Sequence, residues 1–439
     1  MGRENEKRFA KAAAYMGSTI IAKAARGDKE NVFVRVRKQS VYDILLSILS
    51  RKGLTASMEI RQFFKRIGKQ KVTKQAWFKS RRKLNPKVFI MLNDDYMKSF
   101  YETENDVKTW NGYLVLAIDG SKAEIPNSIQ NRRYYGTMGN DKTTGPARAL
   151  ISGLFDVLNC FFIDLQIYNV KTSEKELAKT NIQALERIGV KQKCIIVFDK
   201  GYPSLDLLNY LFEHELFYVV RIPKAAYKQE RGAVKSNDEW ICIENSAKRL
   251  FELKRKNEKR YHELKEKHVT HARLISDRTA SGDEFSVLTN LPEEISGDEI
   301  INAYFYRWNI EQAYHTLKNK MKFESVTGMD SIYVEQDFLS QVYVYNLMED
   351  IRQAVEEEID YEKHNYKYPQ RINQNVAIGI FKDEFINIML EPELPKRAML
   401  FRNLYEELKA FTLPKRKLKS TPRHHNLSNK YSCNIKPAF

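Results

Sequence analysis

The sequence predicts an α/β core with a mainly β insertion, flanked by an α-helical N-terminal domain and a helical C-terminal region. Two apolar runs, 114–118 and 194–198, each end in an aspartate and predict the core, because continuous apolar runs of this length are typical of strands buried on both faces. A third observation, an acid-free basic window at 61–90, marks out the helices on the N-terminal side.

Further predicted elements complete the core around these two runs. Residues 149–158 and 160–169 form a predicted hairpin, helices open at Ser173 and at Ser204, and 217–222 is a fifth strand. Three antiparallel strands followed by helix–strand alternation is the order of the ribonuclease-H fold. We therefore predict a ribonuclease-H-like α/β core.

The aspartates that end the two apolar runs are the first candidate site residues. Asp119 and Asp199 are each expected at the carboxyl end of a central strand, with turn residues following at 120–121 and 200–203. Open α/β sheets place their chemistry at this edge. The two carboxylates are therefore expected to lie side by side.

Composition excludes several classes of protein. The chain has 439 residues and a formal net charge of +17, and 43% of its residues are hydrophobic, which excludes global disorder. No apolar run reaches the roughly 18–20 residues of a membrane helix, and the N-terminus has no signal peptide pattern. Four scattered cysteines without a CxxC pair argue against a disulfide scaffold and a cysteine zinc site. A cytoplasmic protein with a polyanionic partner and no membrane is expected.

Most of the excess charge lies in the window 61–90, which holds eleven Lys and Arg, no Asp or Glu, and +11 of the total +17. Two helices are predicted here, capped by Ser57 and Thr73. On the second helix we expect an inner face of Ala76, Trp77, Ser80 and Leu84, and outward basic residues that include Lys74, Lys79, Arg81 and Arg82. This helix–turn–helix has a shape that docks DNA, and the alternative is a solvated basic face on an ordinary bundle.

Two later segments also have distinctive compositions. Residues 415–425 form a basic tail that is expected to touch phosphate without reading sequence. Residues 224–292 contain short β-like runs and are predicted to be the insertion, with a single tryptophan, Trp240.

A third acid lies on a long helix that is predicted to begin after Ser296 and to reach about Met321. At 100° per residue, one stripe of this helix about 60° wide carries Tyr304, Arg307, Glu311 and Lys318. The alternative explanation for any one pair on the stripe is a surface ion pair at i, i+4 spacing.

Three carboxylates brought together repel one another, so such a cluster needs protons or a divalent metal ion. Hard oxygen ligands suit Mg²⁺ or Mn²⁺, and two such ions at roughly 3.5–4 Å activate the attacking group and stabilise the leaving oxygen of a phosphodiester. Arg307 and Lys318 are then expected to hold phosphates, and Tyr304 to donate a hydrogen bond to one.

These residues resemble a known family. The spacing Tyr304-x2-Arg307-x3-Glu311-x6-Lys318 is similar to the Tyr-Arg-Glu-Lys signature of DDE transposases of the insertion sequence 4 family. The surroundings of the family's two catalytic aspartates resemble 118–127 and 198–204, and 289–292 is also typical of the family. The resemblance covers about residues 55 to 350.

The resemblance implies that Asp119, Asp199 and Glu311 are catalytic ligands of two Mg²⁺ or Mn²⁺ ions. It implies DNA partners, namely transposon-end inverted repeats and target DNA, a homodimer in a synaptic complex, and a nucleoid-associated prokaryotic protein. Some related enzymes stack an aromatic residue of the insertion on a DNA hairpin, so Trp240 is a candidate for stacking. The alternative for Trp240 is a buried anchor of the β subdomain. Lys200 stands where relatives often have Arg.

The expected domains are a DNA-binding domain at 1–108, a first core part at 109–223, the insertion at 224–292, the catalytic helix at 293–332 and a helical region with the basic tail at 333–439. The expected function is cut-and-paste DNA transposition. The alternatives are a catalytically silent or domesticated DNA-binding regulator and a nuclease of the same fold.

Overall fold

The computed structural model describes residues 4–29, 31–34, 38–103, 106–139, 144–278, 282, 284–359 and 367–415. The predicted basic tail beyond Lys415 lies outside the described residues. Six helices precede the sheet: α1 Glu4–Met16, α2 Thr19–Arg26, α3 Val41–Leu49, α4 Ala56–Arg66, α5 Lys74–Arg81 and α6 Lys87–Tyr101.

A mixed sheet of eight strands forms the centre of the molecule. Its strands are β1 Tyr113–Glu124, β2 Arg148–Asp156, β3 Phe161–Asn169, β4 Lys193–Phe198, β5 Phe217–Arg221, β6 Asp238–Glu244, β7 Val269–Arg278 and β8 Glu284–Thr289. They follow one another across the sheet in the order β3-β2-β1-β4-β5-β8-β7-β6.

The remaining elements cover this sheet and its ends. Between the strands lie α7 Ile129–Tyr135, α8 Glu174–Ile188, α9 Leu205–Glu213, α10 Lys228–Ala233, α11 Phe251–Lys256 and α12 Glu258–Glu266. After the sheet come α13 Gly297–Phe305, α14 Trp308–His315, α15 Ser331–Glu358, β9 Gln370–Ile372, α16 Gln374–Leu390, α17 Leu394–Lys409 and β10 Thr412–Pro414.

The two apolar runs are the central strands, as predicted. Residues 114–118 of β1 and 195–198 of β4 are fully buried, and the strands run parallel with Ala117 opposite Val197. The predicted hairpin forms as β2 and β3, which pair antiparallel with each other and with β1, while β5 runs parallel to β4. Three antiparallel strands joined to two parallel ones give a ribonuclease-H-like α/β core.

The strand that carries Asp119 does not end there, which corrects the prediction of a turn at 120–121. After Ala117 the pairing of β1 with β4 stops, but its antiparallel pairing with β2 continues to Glu124. The hydrogen bonds between β1 and β2 therefore keep the chain extended for five residues past Asp119. Gly120 and Ser121 lie inside the strand.

The predicted insertion at 224–292 is not formed by strands alone. It contains α10, α11 and α12 as well as β6, β7 and β8, and its strands extend the core sheet. The link is β8, which pairs antiparallel with β5 through Val219 and Thr289. This pairing satisfies the backbone donors and acceptors that an open edge of β5 would expose.

The N-terminal helices pack on the C-terminal ones. In α1, Arg8 forms a buried ion pair with Asp350 of α15 at 2.7 Å, and Phe9 contacts the ring of Phe401 in α17. Buried charges are stable only when paired, so these contacts fix α1 against α15. None of the described helices is long and apolar enough to cross a membrane.

Lys382 joins three parts of this helical assembly. It lies on α16, and its buried ammonium donates to the carbonyl of Arg51 at 2.9 Å and to Oε1 of Gln341 at 3.1 Å. The carbonyl of Met321, just after the predicted catalytic helix, lies 3.4 Å away. Burial, aided by the charge of Arg51, lowers the pKa of Lys382 to about 7.

This lowered pKa predicts a pH-dependent stability. Between pH 7 and the unfolded value of about 10.5 the unfolded chain binds one more proton at this lysine, so the free energy of unfolding rises with pH by about 1.4 kcal/mol per unit. We expect Lys382→Met to remove this increment in urea unfolding measured at several pH values, and Lys259→Met, at an exposed site, to leave it intact. An unchanged pH slope in Lys382→Met would contradict the assignment.

Candidate active site

The sheet places the two predicted aspartates next to each other. Asp119 and Asp199 each lie two residues beyond the paired residues Ala117 and Val197 of the neighbouring parallel strands. Adjacent strands are about 4.8 Å apart, so the two backbones are side by side. Asp199 follows the last residue of β4, as predicted, and both aspartates are half-buried.

The helix that carries the third acid is not continuous, which corrects the prediction of one long helix. Its capping box at Ser296 forms as expected. After α13 the helix forms a tighter turn, in which the Arg307 amide donates to the carbonyl of Tyr304, three residues earlier, at 3.0 Å. Beyond α14 it widens into a π-helical turn, Thr316–Lys320, closed by the Met321 amide on the carbonyl of Thr316. The four signature residues therefore do not lie along one regular helix, because the helix is irregular near Arg307 and again at Thr316–Lys320.

The bend spreads the four signature residues along the edge of the sheet. The hydroxyl of Tyr304 donates to Oδ1 of Asp199 at 3.4 Å. The ammonium of Lys318 donates to the hydroxyl of Ser121 and to the carbonyl of Lys122, both at 2.7 Å. The Tyr304 end of the segment thus contacts Asp199, just after β4, and the Lys318 end contacts β1.

Arg307 lies in the middle of this arrangement. Its Nη2 donates to Oε1 of Glu311 at 2.9 Å, and its side chain is 5% exposed against 42% for the glutamate. Burial works to lower the pKa of Arg307, but Tyr304, Glu311, Asp199 and Asp119 together raise it. The guanidinium is therefore the shared counter-charge of the three acids.

Negative charge is concentrated around Asp119. Its pKa is raised to about 7, mainly by burial; Glu311 and Glu174 add to the shift, and Arg307 opposes it. Glu174 was not singled out from the sequence. It is the first residue of α8, and a Cβ at Gly120 would lie 2.6 Å from its carboxyl carbon.

The assignment of the three acids as metal ligands stays a prediction. Among the described residues no three Asp, Glu, His or Cys side chains lie close enough together to hold a metal ion. Glu311 is paired with Arg307 at 2.9 Å. The donor set itself fits Mg²⁺ or Mn²⁺, because all three side chains are carboxylates within the field of one arginine.

Tyr314 is a second residue that the sequence analysis missed. Its buried hydroxyl donates to the backbone carbonyl of Asp119 at 2.8 Å, and a Cβ at Gly153 would lie 2.8 Å from that hydroxyl. Because Tyr314 lies three residues after Glu311 on α14, it ties the helix of the third acid to β1 and β2. The sequence feature that could have indicated Tyr314 was its i+3 spacing from Glu311, which places both residues on one face of a helix.

Arg81, predicted to contact DNA, is fully buried. It forms an ion pair with Asp337 of α15 at 2.6 Å, and its guanidinium lies 5.0 Å from the Trp77 ring and 5.2 Å from the Tyr333 ring. A buried carboxylate such as Asp337 needs a partner of opposite charge, and Arg81 supplies it together with Arg51 at 3.4 Å. The prediction that Arg81 faces outward is therefore wrong.

The other predicted basic contacts do face solvent. Lys74 and Lys79 of α5 are exposed, and Arg82 is exposed but paired with Asp330. The caps also differ in part, because α5 begins at Thr73 as predicted, whereas α4 begins after Thr55 instead of Ser57. Of the expected inner face Trp77 and Leu84 are buried, Ser80 is half-buried and Ala76 is exposed.

Trp240 lies on the edge strand β6 and is 42% exposed, so the structure does not support a buried anchor. Four strand spacings separate β6 from β4, or about 19 Å. Three exposed aromatic residues lie nearer the acids, namely Phe305, Tyr306 and Trp308 beside Arg307. Exposed rings of this kind can stack on nucleobases.

Comparison with known proteins gives a family match for the chain. The family described as "Transposase DDE domain" matches residues 110–347, more than half of the chain. The chain is 26% identical over 247 residues to "Transposase InsG for insertion sequence element IS4" of Escherichia coli (strain K12). That match covers 54% of this chain and 52% of the relative, so it spans about half the relative's length.

A solved structure is also similar. It is a cryo-electron microscopy structure of a piggyBac transposase synaptic complex with hairpin DNA, with a TM-score of 0.42, 11% identity, and coverage of 91% of this chain and 80% of that chain. The family match, together with the IS4 relative, identifies the type. The chain belongs to the DDE transposase family, of the type found in insertion sequence 4.

Proposed function

We propose that this chain is the DNA transposase of an insertion sequence. It binds terminal inverted repeats and catalyses metal-dependent DNA cleavage and strand transfer by cut-and-paste transposition. The observation that carries the proposal is the pair of adjacent strand-borne acids, Asp119 and Asp199, with Glu311 held beside them by a shared arginine. A protein that only binds DNA gains nothing from carboxylates aimed at phosphates, which they repel.

In this proposal Asp119, Asp199 and Glu311 bind two Mg²⁺ or Mn²⁺ ions, in keeping with the general use of divalent metal ions by DDE transposases. Bound metal would supply charge neutralisation and polarisation of the phosphodiester oxygens. The proposal requires Glu311 to turn from Arg307 toward the two aspartates. Arg307 then becomes free to hold a phosphate, which is the anion that a guanidinium binds best.

The other signature residues act on the DNA strand. Lys318, fixed by Ser121 and the carbonyl of Lys122, would place a positive charge beside β1 for a second phosphate. Tyr304, whose hydroxyl donates to Asp199 at 3.4 Å, would orient that acid and, with DNA bound, donate a hydrogen bond to a phosphate. The side chains of Lys318 and Tyr304 are already held in place before DNA binds, so the reaction loses little entropy in ordering them.

DNA is proposed to extend from this site over the exposed basic residues of α5. Lys74, Lys79 and Arg82 would contact phosphates without reading bases. A homodimer is proposed to hold two transposon ends together with target DNA. A stacking role for Trp240 and the domain boundaries given above stay predictions.

The acids provide the first test of the proposed function. Asp119→Asn, Asp199→Asn or Glu311→Gln should lower Mg²⁺-dependent cleavage of the flanking inverted repeats by about 10³-fold, because each removes a ligand charge. DNA affinity in metal-free buffer should be unchanged or greater. Glu294→Gln, at an exposed glutamate away from the site, is the matched control. Retained cleavage in Asp119→Asn or Glu311→Gln would refute the proposal, and cleavage without a joined product would make the chain a nuclease.

Tyr314 provides a test of positioning. Tyr314→Phe leaves the Asp119 carbonyl without its donor and should slow cleavage about tenfold, with DNA affinity unchanged. Gly153→Ala should also slow it, because the added methyl meets the hydroxyl. The double variant should be less impaired than the sum of the two, since Tyr314→Phe removes the closest contact of the added methyl and leaves only the Phe162 ring, at 3.1 Å. Additive effects in a cleavage double-mutant cycle would mean that the contact does not position Asp119.

The basic residues of α5 separate contact with DNA from folding. Lys79→Gln and Arg82→Gln should each flatten the log–log salt dependence of end binding by about 0.9, with the free energy of unfolding nearly unchanged. Arg81→Gln should instead destabilise the fold by up to about 3–5 kcal/mol, because it removes the closer of the two arginines that pair with the buried carboxylate of Asp337. Salt titrations of binding and urea unfolding distinguish these effects. An unchanged slope in the Lys79→Gln, Arg82→Gln double variant would place the DNA elsewhere.

A further inference from the structure

The short helix α7, between β1 and β2, presents an unusual exposed face. Ile129, Arg132 and Arg133 have i, i+3 and i+4 spacing and so share one side of the helix. All three are exposed, and Ile129 is 87% exposed. Asn131 and Tyr135 on the opposite side are fully buried. The hydrophobic residue and the two arginines therefore face solvent together.

This face is held rigidly. The Asn131 amide donates to the carbonyl of Pro126 at 2.9 Å and to that of Met329 at 3.0 Å, and the Ser128 hydroxyl donates to the same Met329 carbonyl at 2.8 Å. Tyr135 reaches the carbonyl of Ser331 at the start of α15. Because these four hydrogen bonds already hold the helix in place, little conformational entropy is lost when a ligand binds to its exposed face.

The charge of the face is not neutralised locally. Arg132 uses Nε to bond Asn127 at 2.7 Å, which orients the guanidinium and leaves its two Nη groups available. Arg133 forms no ion pair with any residue that the structure describes. The acids nearby have other partners, since Glu124 pairs with Arg148 at 2.5 Å, Asp330 pairs with Arg82, and Glu335 accepts from the Tyr135 hydroxyl at 3.4 Å.

The end of β1 lies next to the end of α7, because Glu124 is paired with Arg148 of β2, and the Arg148 amide donates at 3.3 Å to the carbonyl of Gly136, the residue after α7. Strand β1 continues for five residues from Asp119 to Glu124, a distance of about 16 Å at 3.3 Å per residue. Lys318 contacts the strand between these two points, at Ser121 and Lys122. In B-DNA a length of about 16 Å corresponds to about five base pairs.

We propose that the exposed face of α7 binds the phosphate backbone of duplex DNA about five base pairs from the bond that is cut at Asp119. Arg132 and Arg133 contact phosphates, and Ile129 packs against deoxyribose between them. This inference rests on the proposed function, which places the cut bond at Asp119. Charge complementarity selects DNA over a second copy of the chain, because the copy carries the same net charge of +17.

The test uses the full chain and duplexes that carry the inverted repeat flanking its own gene, in metal-free buffer. The Arg132→Gln, Arg133→Gln double variant should flatten the log–log salt slope of binding by about 1.8, which is 0.9 for each lost phosphate contact. The matched control is Arg402→Gln, an exposed arginine on α17, which should not change the slope. Urea unfolding and light scattering check that the fold and the oligomeric state are retained.

Truncated duplexes locate the contact. Shortening the duplex to about three base pairs on one side of the cut bond should abolish the difference between wild type and double variant, since the contacted phosphates are then missing. The side on which shortening has this effect shows whether α7 contacts the transposon end or the DNA outside it. The proposal is overturned by an unchanged slope, by a difference that persists whichever of the two sides is truncated, or by a double variant whose only defect is a changed oligomeric state. If the wild-type protein binds the duplex but never cuts it with Mg²⁺, the proposed function is refuted. The binding results described above still test the contact between α7 and DNA.

Discussion

Electrostatic repulsion between carboxylates is the constraint on which the active site depends. Asp119 and Asp199 lie on adjacent strands, and Glu311 faces them from a separate helix. Three such groups are stable near one another only with positive charge between them. In the structure Arg307 supplies that charge, and its buried guanidinium interacts with all three acids. Divalent metal would replace it, and Arg307 would then be released to the phosphate.

The surrounding fold holds the opposing charges in place. The parallel pairing of β1 and β4 fixes the two aspartates, and the Tyr314 hydroxyl ties α14 to β1. The tight turn at Arg307 and the π-helical turn after α14 let one short segment reach both strands. Deviations from regular helix geometry of this kind are frequent at functional sites. Beyond Asp119, β1 continues toward α7, so one strand links the acids to the proposed DNA contact.

Patterns of local sequence predicted the core well. The runs before Asp119 and Asp199 are fully buried strands, because only apolar side chains can fill both faces of a central strand. The family signature identified Tyr304, Arg307, Glu311 and Lys318, and these residues do lie along the edge of the sheet. The bend in their helix was not predictable, since it depends on contacts with β1 and β4. Arg81 was misplaced for a similar reason, because its partner Asp337 is distant in sequence.

The central claim is that Asp199, together with Asp119 and Glu311, binds the metal that supports DNA cleavage. Asp199→Cys tests it most directly, because a thiolate is a poor ligand for Mg²⁺ and a better one for the softer Mn²⁺. We predict that the variant fails to cleave inverted-repeat DNA with Mg²⁺ and regains cleavage with Mn²⁺. Equal loss of cleavage with both metals, in a variant that still folds and binds DNA, would contradict direct ligation. Full activity with Mg²⁺ would contradict it as well.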